Sequence, residues 1–111
     1  MNNINARKYV SDGFPPDEGG RLANALMDSS AVDWNKLQID LTQLPPSLLI
    51  SAFFNGFLQT LVDRRPELLK VARQITWKVP FDFQRENIAR WMKDFRPYDR
   101  RADQSRTASQ S

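Results

Sequence analysis

The sequence contains neither cysteine nor histidine among its 111 residues. Without cysteine there is no disulfide framework, no thiol nucleophile and no thiolate metal ligand. Without histidine the chain lacks the commonest general base, the usual zinc ligand and the base of a serine triad. No group of Asp and Glu has EF-hand spacing either. These absences predict a protein that is not an enzyme and that holds no metal or cofactor.

Long apolar runs and a strong net charge are also missing. No apolar run approaches the ~18 residues of a membrane-spanning helix, and the polar start, MNNINARKYV, is not that of a signal peptide. The net charge is +3, and most of it comes from Arg96 onward, so the body is nearly neutral. We therefore expect a cytoplasmic protein that avoids membranes and whose body has no strongly basic surface for nucleic acid.

The remaining composition, 41% hydrophobic and 26% charged, is that of one ordinary globular domain. Alternation of apolar and polar residues predicts three strands. Apolar residues three and four apart predict the helices between them. The predicted strands are Ile4 to Val10, Lys36 to Thr42 and Gln74 to Val79. The first predicted helix is capped by Asp17, has Glu18 in its first turn and carries an apolar stripe from Gly20 to Met27. The other predicted helices are Ser47 or Ser51 to Asp63, a short turn from Glu67 to Ala72, and a last helix that Asp82 caps.

This β-α-β-α-β-α order predicts a small two-layer α/β sandwich with a parallel or mixed sheet. Because the strands alternate, helices should cover one face of the sheet and leave the other more open. An open face or edge invites a protein partner or a homodimer. We assign residues 1–97 to this domain and predict that the polar, basic residues 98–111 form a disordered tail.

Two adjacent glycines, Gly19 and Gly20, stand near the start of the first predicted helix. Each weakens a helical turn by roughly 1 kcal/mol relative to alanine. Either the frayed end of the helix tolerates them, or they allow another part of the molecule to approach closely.

The segment from Thr42 to Asn55 forms a strand-to-helix corner that contains Pro45-Pro46. Helix-start N–H groups are unpaired and available to ligands, and this corner carries several hydroxyls. We therefore predict a partner-binding or switch site formed by Thr42, Ser47, Ser51 and Asn55. The alternative is structural: Ser51 caps or packs the helix, and Ser47 caps the turn.

Three motifs resemble the STAS-like domain family of unknown function, bacterial and phage relatives of the sulphate-transporter and anti-sigma-factor-antagonist domain. Asp17-Glu18-Gly19-Gly20-Arg21-Leu22 resembles its acidic-Gly-Arg-Leu helix opening. Leu37-Gln38-Ile39-Asp40-Leu41-Thr42 resembles its strand ending in Asp-apolar-Ser/Thr. Ile50-Ser51-Ala52-Phe53-Phe54-Asn55 resembles its Ser-x-Phe-apolar-Asn/Asp helix start. The resemblance covers most of the chain from Ile4 to Phe95.

The resemblance implies a non-enzymatic regulatory or protein–protein interaction module. In classical members of the wider superfamily, a kinase partner phosphorylates a serine at this helix start and so switches binding. The resemblance therefore implies a kinase-like ATP-binding partner and assigns the switch to Ser51. The Pro45-Pro46-Ser47 segment lengthens the link beyond what the family leads us to expect, which leaves Ser47 as the alternative.

Aromatic residues supply two further predictions. Phe53, Phe54 and Phe57 have helical spacing, which is typical of a core and not of a platform for stacking bases. Trp77 and Trp91 lie on the apolar faces of their predicted elements and are also assigned to the core. Trp34 is the aromatic residue best placed for an exposed contact, and the alternative is that it packs over the edge of the sheet.

A local group of basic residues supports an alternative function. If these residues act as a phosphate-binding patch, the chain is a nucleic-acid-associated accessory protein. The patch would consist of the arginine-bearing tail and of Arg64, Arg65, Lys70 and Arg73. The structural alternative is a solvated charged face.

Overall fold

Three short parallel strands form one sheet in the computed structural model, which describes residues 2–97 of the chain. The strands are β1 (Asn2–Asn5), β2 (Leu37–Asp40) and β3 (Thr76–Lys78), and β2 lies in the middle. Four helices follow the strands: α1 (Pro15–Asp28), α2 (Ser51–Arg64), α3 (Leu68–Ala72) and α4 (Asp82–Asp94). The order is β1-α1-β2-α2-α3-β3-α4. The predicted tail lies outside the described residues.

Alternation of apolar and polar residues separates the two faces of the sheet. The strand register aligns an apolar row, Ile4–Ile39–Trp77, next to a polar row, Asn5–Asp40–Lys78. Ile39 and Trp77 are buried, whereas Lys78 is exposed. Buried apolar side chains from the strands and the helices form one core cluster. The helices therefore cover the apolar face, as the alternation predicts, and the opposite face presents polar side chains to solvent.

Helices α1 and α2 pack so closely that their backbones touch at glycines. A Cβ atom on Gly19 would overlap the carbonyl oxygen of Phe53 and lie 2.9 Å from the nitrogen of Phe57. A Cβ on Gly56 would overlap the carbonyl oxygen of Pro16. Gly19 is fully covered by this contact, so close approach, and not a frayed helix end, explains it.

Aromatic side chains join α2 to β3 and α4. The three phenylalanines predicted as core, Phe53, Phe54 and Phe57, are completely buried, and Trp77 is 6% exposed. The rings of Phe54 and Phe57 meet Trp77 edge-on, with centroids 5.2 and 5.4 Å away. These four core predictions are confirmed. Trp91 is half-buried against Phe54, with ring centroids 5.7 Å apart.

Several predicted boundaries are wrong because side chains end or begin elements locally. β1 was predicted to run to Val10, but it ends at Asn5, whose Oδ1 accepts the N–H of Arg7 at 3.0 Å and starts a 3-10 turn. α1 begins at Pro15, whereas an Asp17 cap predicts a start at Glu18, because proline suits the first helical position. Trp34, half-buried in a 3-10 turn before β2, packs against the core.

The predicted helix caps are also wrong. Asp17 and Asp82 lie inside the first turns of α1 and α4, where their charge still favours the helix start. The N-cap positions belong to Phe14 and Phe81. Aspartate is the more usual cap, which is why the sequence pattern misplaces both helix starts.

Gly19→Ala should lower the free energy of unfolding by roughly 1–3 kcal/mol, because the new methyl group meets the backbone of α2 and that backbone cannot turn aside. Urea unfolding followed by circular dichroism measures the change.

Gly20→Ala is the matched control. Its Cβ would lie 2.9 Å from Oγ1 of Thr60, a side-chain atom that rotation can move. The same gain in helix propensity, about 1 kcal/mol, should keep this variant within about 1 kcal/mol of the wild type. Equal destabilisation by the two substitutions would show that the α1–α2 contact does not depend on Gly19.

Candidate interaction site

At the carboxyl end of β2, the predicted site residue Thr42 is engaged by the chain itself. Oδ1 of Asp40 accepts hydrogen bonds from the N–H of Thr42, at 2.8 Å, and from its hydroxyl. These bonds, the one from the hydroxyl first, lower the pKa of Asp40, and Lys78 on the neighbouring strand adds a smaller effect in the same direction. The Thr42 hydroxyl therefore holds a charged Asp40 in a tight turn at the edge of the sheet.

Two of the predicted site residues, Ser51 and Asn55, lie one turn apart on α2 and line the same cleft. The cleft is about 430 Å³ in volume and lies between α2 and the carboxyl end of α4. Its other lining residues are Gln59, Trp91, Asp94, Phe95 and Arg96. A half-buried indole ring thus lies among five polar groups: one carboxylate, one guanidinium, two amides and a hydroxyl. These groups are suited to hydrogen bonding with a polar ligand.

The other two predicted residues, Thr42 and Ser47, do not line this cleft. Ser47 is exposed in a 3-10 turn, Pro46–Leu48, whose N-cap is Pro45. Ser51 is exposed as the first residue of α2, where Ile50 is the N-cap and no side chain provides a capping bond. The structural alternative, in which these serines act as caps, is therefore wrong for both. Their hydroxyls remain on the surface.

The sequence analysis missed a set of exposed apolar side chains. Among residues 2–97, the large hydrophobic residues that are at least 40% exposed are Tyr9, Phe14, Ile50, Phe81 and Phe83. Each one lies between the end of a strand and the first turn of the next helix. Because the strands are parallel, the connections that follow them start from the same end of the sheet, and we call these five side chains the apolar edge. Within this set a ring contact joins Phe81 and Phe83, with centroids 5.7 Å apart and planes 15° apart, whereas Ile50 precedes Ser51, which lies in a cleft with the carboxyl end of α4.

Three residues of the apolar edge replace the polar caps that helices normally use. Phe14, Ile50 and Phe81 are the N-caps of α1, α2 and α4, and no side chain of theirs makes a capping hydrogen bond. A Ser, Thr, Asp or Asn cap is worth about 1 kcal/mol. Departures from a local rule of this kind are expected at functional sites. The sequence signal was a phenylalanine beside a proline, in Phe14-Pro15 and Pro80-Phe81.

The basic residues predicted as a nucleic-acid patch are mostly engaged within the chain. Arg64 donates to Oδ1 of Asn24 at 2.7 Å and pairs with Asp28 at 3.0 Å, which ties the end of α2 to α1. Arg65 pairs with Glu67. The two remaining members of the patch are Lys70, which is exposed on α3, and Arg73, whose guanidinium donates to the carbonyl oxygens of Met92 and Phe95.

Within residues 2–97, no three carboxylates gather closely enough to hold a metal ion. No helix in that range combines the length and the hydropathy that a membrane crossing requires.

Phe14→Ser should raise the free energy of unfolding by about 0.5–1 kcal/mol, because serine can accept the N–H of Asp17 at the start of α1. Phe14 is 67% exposed, so little buried area is lost. Urea unfolding measures the gain. Phe83→Ser, a similar exchange within the first turn of α4, gains no cap and is the control. A loss of stability in Phe14→Ser would mean that Phe14 packs against the protein more than its exposure indicates.

Thr42→Val should raise the pKa of Asp40 towards its ordinary value, since the hydroxyl bond is the largest cause of its lowering. Because the folded pKa is lowered, the stabilising effect is present above the unfolded value of about 4 and is lost as the pH falls through the folded value. An NMR titration of the Asp40 carboxyl carbon measures the shift. Thr76→Val, on the neighbouring strand, should leave it unchanged. An unaltered Asp40 titration in Thr42→Val would remove the hydroxyl bond as its cause.

Comparison with known proteins finds no match to this chain among protein-family models, curated proteins or solved structures. The STAS-like resemblance thus depends on the three short motifs quoted above and stays a prediction.

Proposed function

We propose that this chain is a non-enzymatic, cytoplasmic interaction module that binds a protein partner through the apolar edge. One observation carries the proposal. Within residues 2–97, the large hydrophobic side chains that are well exposed lie on the connections that follow the strands or in the first turn of the next helix, and three of them occupy helix caps.

The chemistry of the apolar edge is that of a protein interface. Phe14, Phe81 and Phe83 are 67%, 57% and 61% exposed, and aromatic side chains are enriched among the residues that anchor interfaces. Leaving them in water has a cost that a partner would remove. The same edge carries the charged Asp40 and the hydroxyl of Thr42, which would supply a polar rim around the apolar contact.

Ser51 would give this surface a switch. It follows Ile50 of the apolar edge directly and its side chain is exposed at the first position of α2. A phosphate on Ser51 would add about −1.5 to −2 charge beside the docking surface and at the positive end of a helix. The STAS-like resemblance proposes the class of partner, a kinase-like ATP-binding protein that modifies this serine.

The alternative function is a nucleic-acid-associated accessory protein that uses Arg64, Arg65, Lys70, Arg73 and the tail. We favour the protein-binding function because the exposed aromatic side chains of the apolar edge suit a protein interface. The ion pairs of Arg64 and Arg65 are exposed and would not prevent contact with a phosphate. Steep weakening of binding with salt would favour nucleic acid. A homodimer through the apolar edge is the other form that a protein contact can take, and analytical ultracentrifugation of the full chain detects it.

The decisive experiment captures partners from native host lysate on the immobilised full chain, with and without ATP. A captured protein is then purified and titrated against the wild type and against Phe81→Ser/Phe83→Ser. Loss of two interface aromatics should weaken binding at least about tenfold. Arg90→Ser, an exposed change on the outer part of α4, is the control and should bind as the wild type does. Partner binding that the double variant leaves intact would overturn the apolar edge as the site.

Ser51→Asp and Ser51→Ala separate the switch from the docking surface. If phosphorylation regulates binding, the two variants should differ in affinity for the purified partner, with Ser51→Ala close to the wild type. Equal affinities would remove the switch and leave the docking proposal unchanged. Recovery of nucleic acid alone, in amounts that fall as salt rises, would transfer the assignment to the accessory function.

A further inference from the structure

A second cleft, separate from the apolar edge, lies between β3 and α4. Its volume is about 500 Å³, within the range of small-molecule sites. Ile75, Ala89 and Met92 form the apolar part of its lining, and Thr76 and Trp77 line it along β3. β3 is an outer strand and pairs only with β2 among the described residues. The cleft runs along the other, unpaired side of β3, which we call the free edge of the sheet.

The charged side chains that line this cleft are all positive: Arg73, Arg85 and Lys93. The guanidinium of Arg73 is held in place by the carbonyl oxygens of Met92 and Phe95, at 3.2 and 2.9 Å. Arg85 pairs at 3.2 Å with Asp82, whose side chain is 90% exposed, so water screens that pair strongly. Lys93 makes no ion pair within residues 2–97. The cleft therefore presents three cationic groups, and two of them can turn to an incoming anion.

Trp77, one of the lining residues, carries an unsatisfied hydrogen-bond donor. Its indole N–H is buried and has no acceptor within residues 2–97, an arrangement that costs about 1–3 kcal/mol. The N–H of Leu41 donates to the carbonyl oxygen of Lys78 at 2.9 Å, so Lys78 directs its peptide groups towards β2. Successive residues of a strand direct their peptide N–H and C=O groups to opposite sides of the strand. Trp77 therefore directs its own backbone N–H and C=O to the free edge.

We propose that this cleft binds a small organic anion with one carboxylate or phosphate group and a compact apolar part. Arg85 and Lys93 meet the acidic group, while Ile75, Ala89 and Met92 contact the apolar part. The combination of a one-signed lining and an apolar wall is what separates this cleft from the one at Ser51, which contains both Asp94 and Arg96.

The test uses the full ¹⁵N-labelled chain and three probes of one shape: 2-naphthoate, 2-naphthyl phosphate and the neutral 2-naphthamide. The indole N–H signals of Trp34, Trp77 and Trp91 are resolved by NMR and assigned by Trp→Phe substitution. At least one anion should bind saturably and shift the Trp77 indole signal most. The neutral probe should bind about fivefold more weakly or worse, since it loses two ion pairs. The stronger of the two anions identifies the acidic group.

Arg85→Ser/Lys93→Ser should weaken the preferred anion about fivefold or more, to the level of the neutral probe. Arg90→Ser lies on the same helix outside the cleft lining and should leave the affinity unchanged. The proposal fails if neither anion saturates at concentrations on the order of 10 mM, since ligand sites of this size bind more tightly. It also fails if the neutral probe binds equally well, if Arg90→Ser has the same effect, or if the shifts appear only at Phe81 and Phe83.

Discussion

The close contact between α1 and α2 determines the geometry of the rest of the molecule. In a parallel sheet with the order β1-β2-β3, right-handed crossovers place both connecting helices on the same face. Neighbouring strands lie only about 4.8 Å apart, whereas helix axes normally need 8–10 Å. Gly19 and Gly56 relieve this mismatch by letting the two backbones touch. At the far end of the same pair, Arg64 joins α2 to Asn24 and Asp28 of α1. The helices are thus fixed side by side and in the same direction.

This parallel arrangement brings the helix starts to one edge of the sheet. A helix start normally contributes a hydroxyl or a carboxylate that satisfies its own N–H groups. Here Phe14, Ile50 and Phe81 occupy those positions and place exposed apolar side chains there, while at the start of α4 the side chain of Gln84 accepts the N–H of Phe81 at 3.2 Å. One such substitution is unremarkable, since single exposed hydrophobic residues are common on protein surfaces. Three of them at helix starts are the observation on which the proposed binding role depends.

Sequence reasoning succeeded where burial on one face sets the pattern. The alternation of Leu37 and Ile39 predicted β2, and the helical spacing of Phe53, Phe54 and Phe57 predicted a buried α2. It failed where a contact distant in sequence, or a single side chain, decides the outcome. Asn5 ends β1 by accepting a local N–H. Gly19 lies against the backbone of Phe53, which is 34 residues away in the chain. The candidate site was predicted in the same uneven way. Ser51 and Asn55 share a cleft because they lie one helical turn apart, but no local pattern shows that Thr42 and Ser47 stay outside it.

Side chains of the core are packed against one another, whereas the two proposed surfaces carry groups without such contacts. Strand β3 contributes to both. Its side-chain face is anchored, because Trp77 packs against Phe54 and Phe57 of α2. Its outer side is not, because among residues 2–97 this three-residue strand pairs only with β2, and the backbone N–H and C=O of Trp77 point away from it. The connection that follows β3 leads directly to the stacked Phe81 and Phe83. Stability therefore comes from the face of this strand, whereas unpaired peptide groups lie on its outer side and exposed rings follow its carboxyl end. If either surface binds as proposed, filling it would stabilise the protein at the expense of that binding.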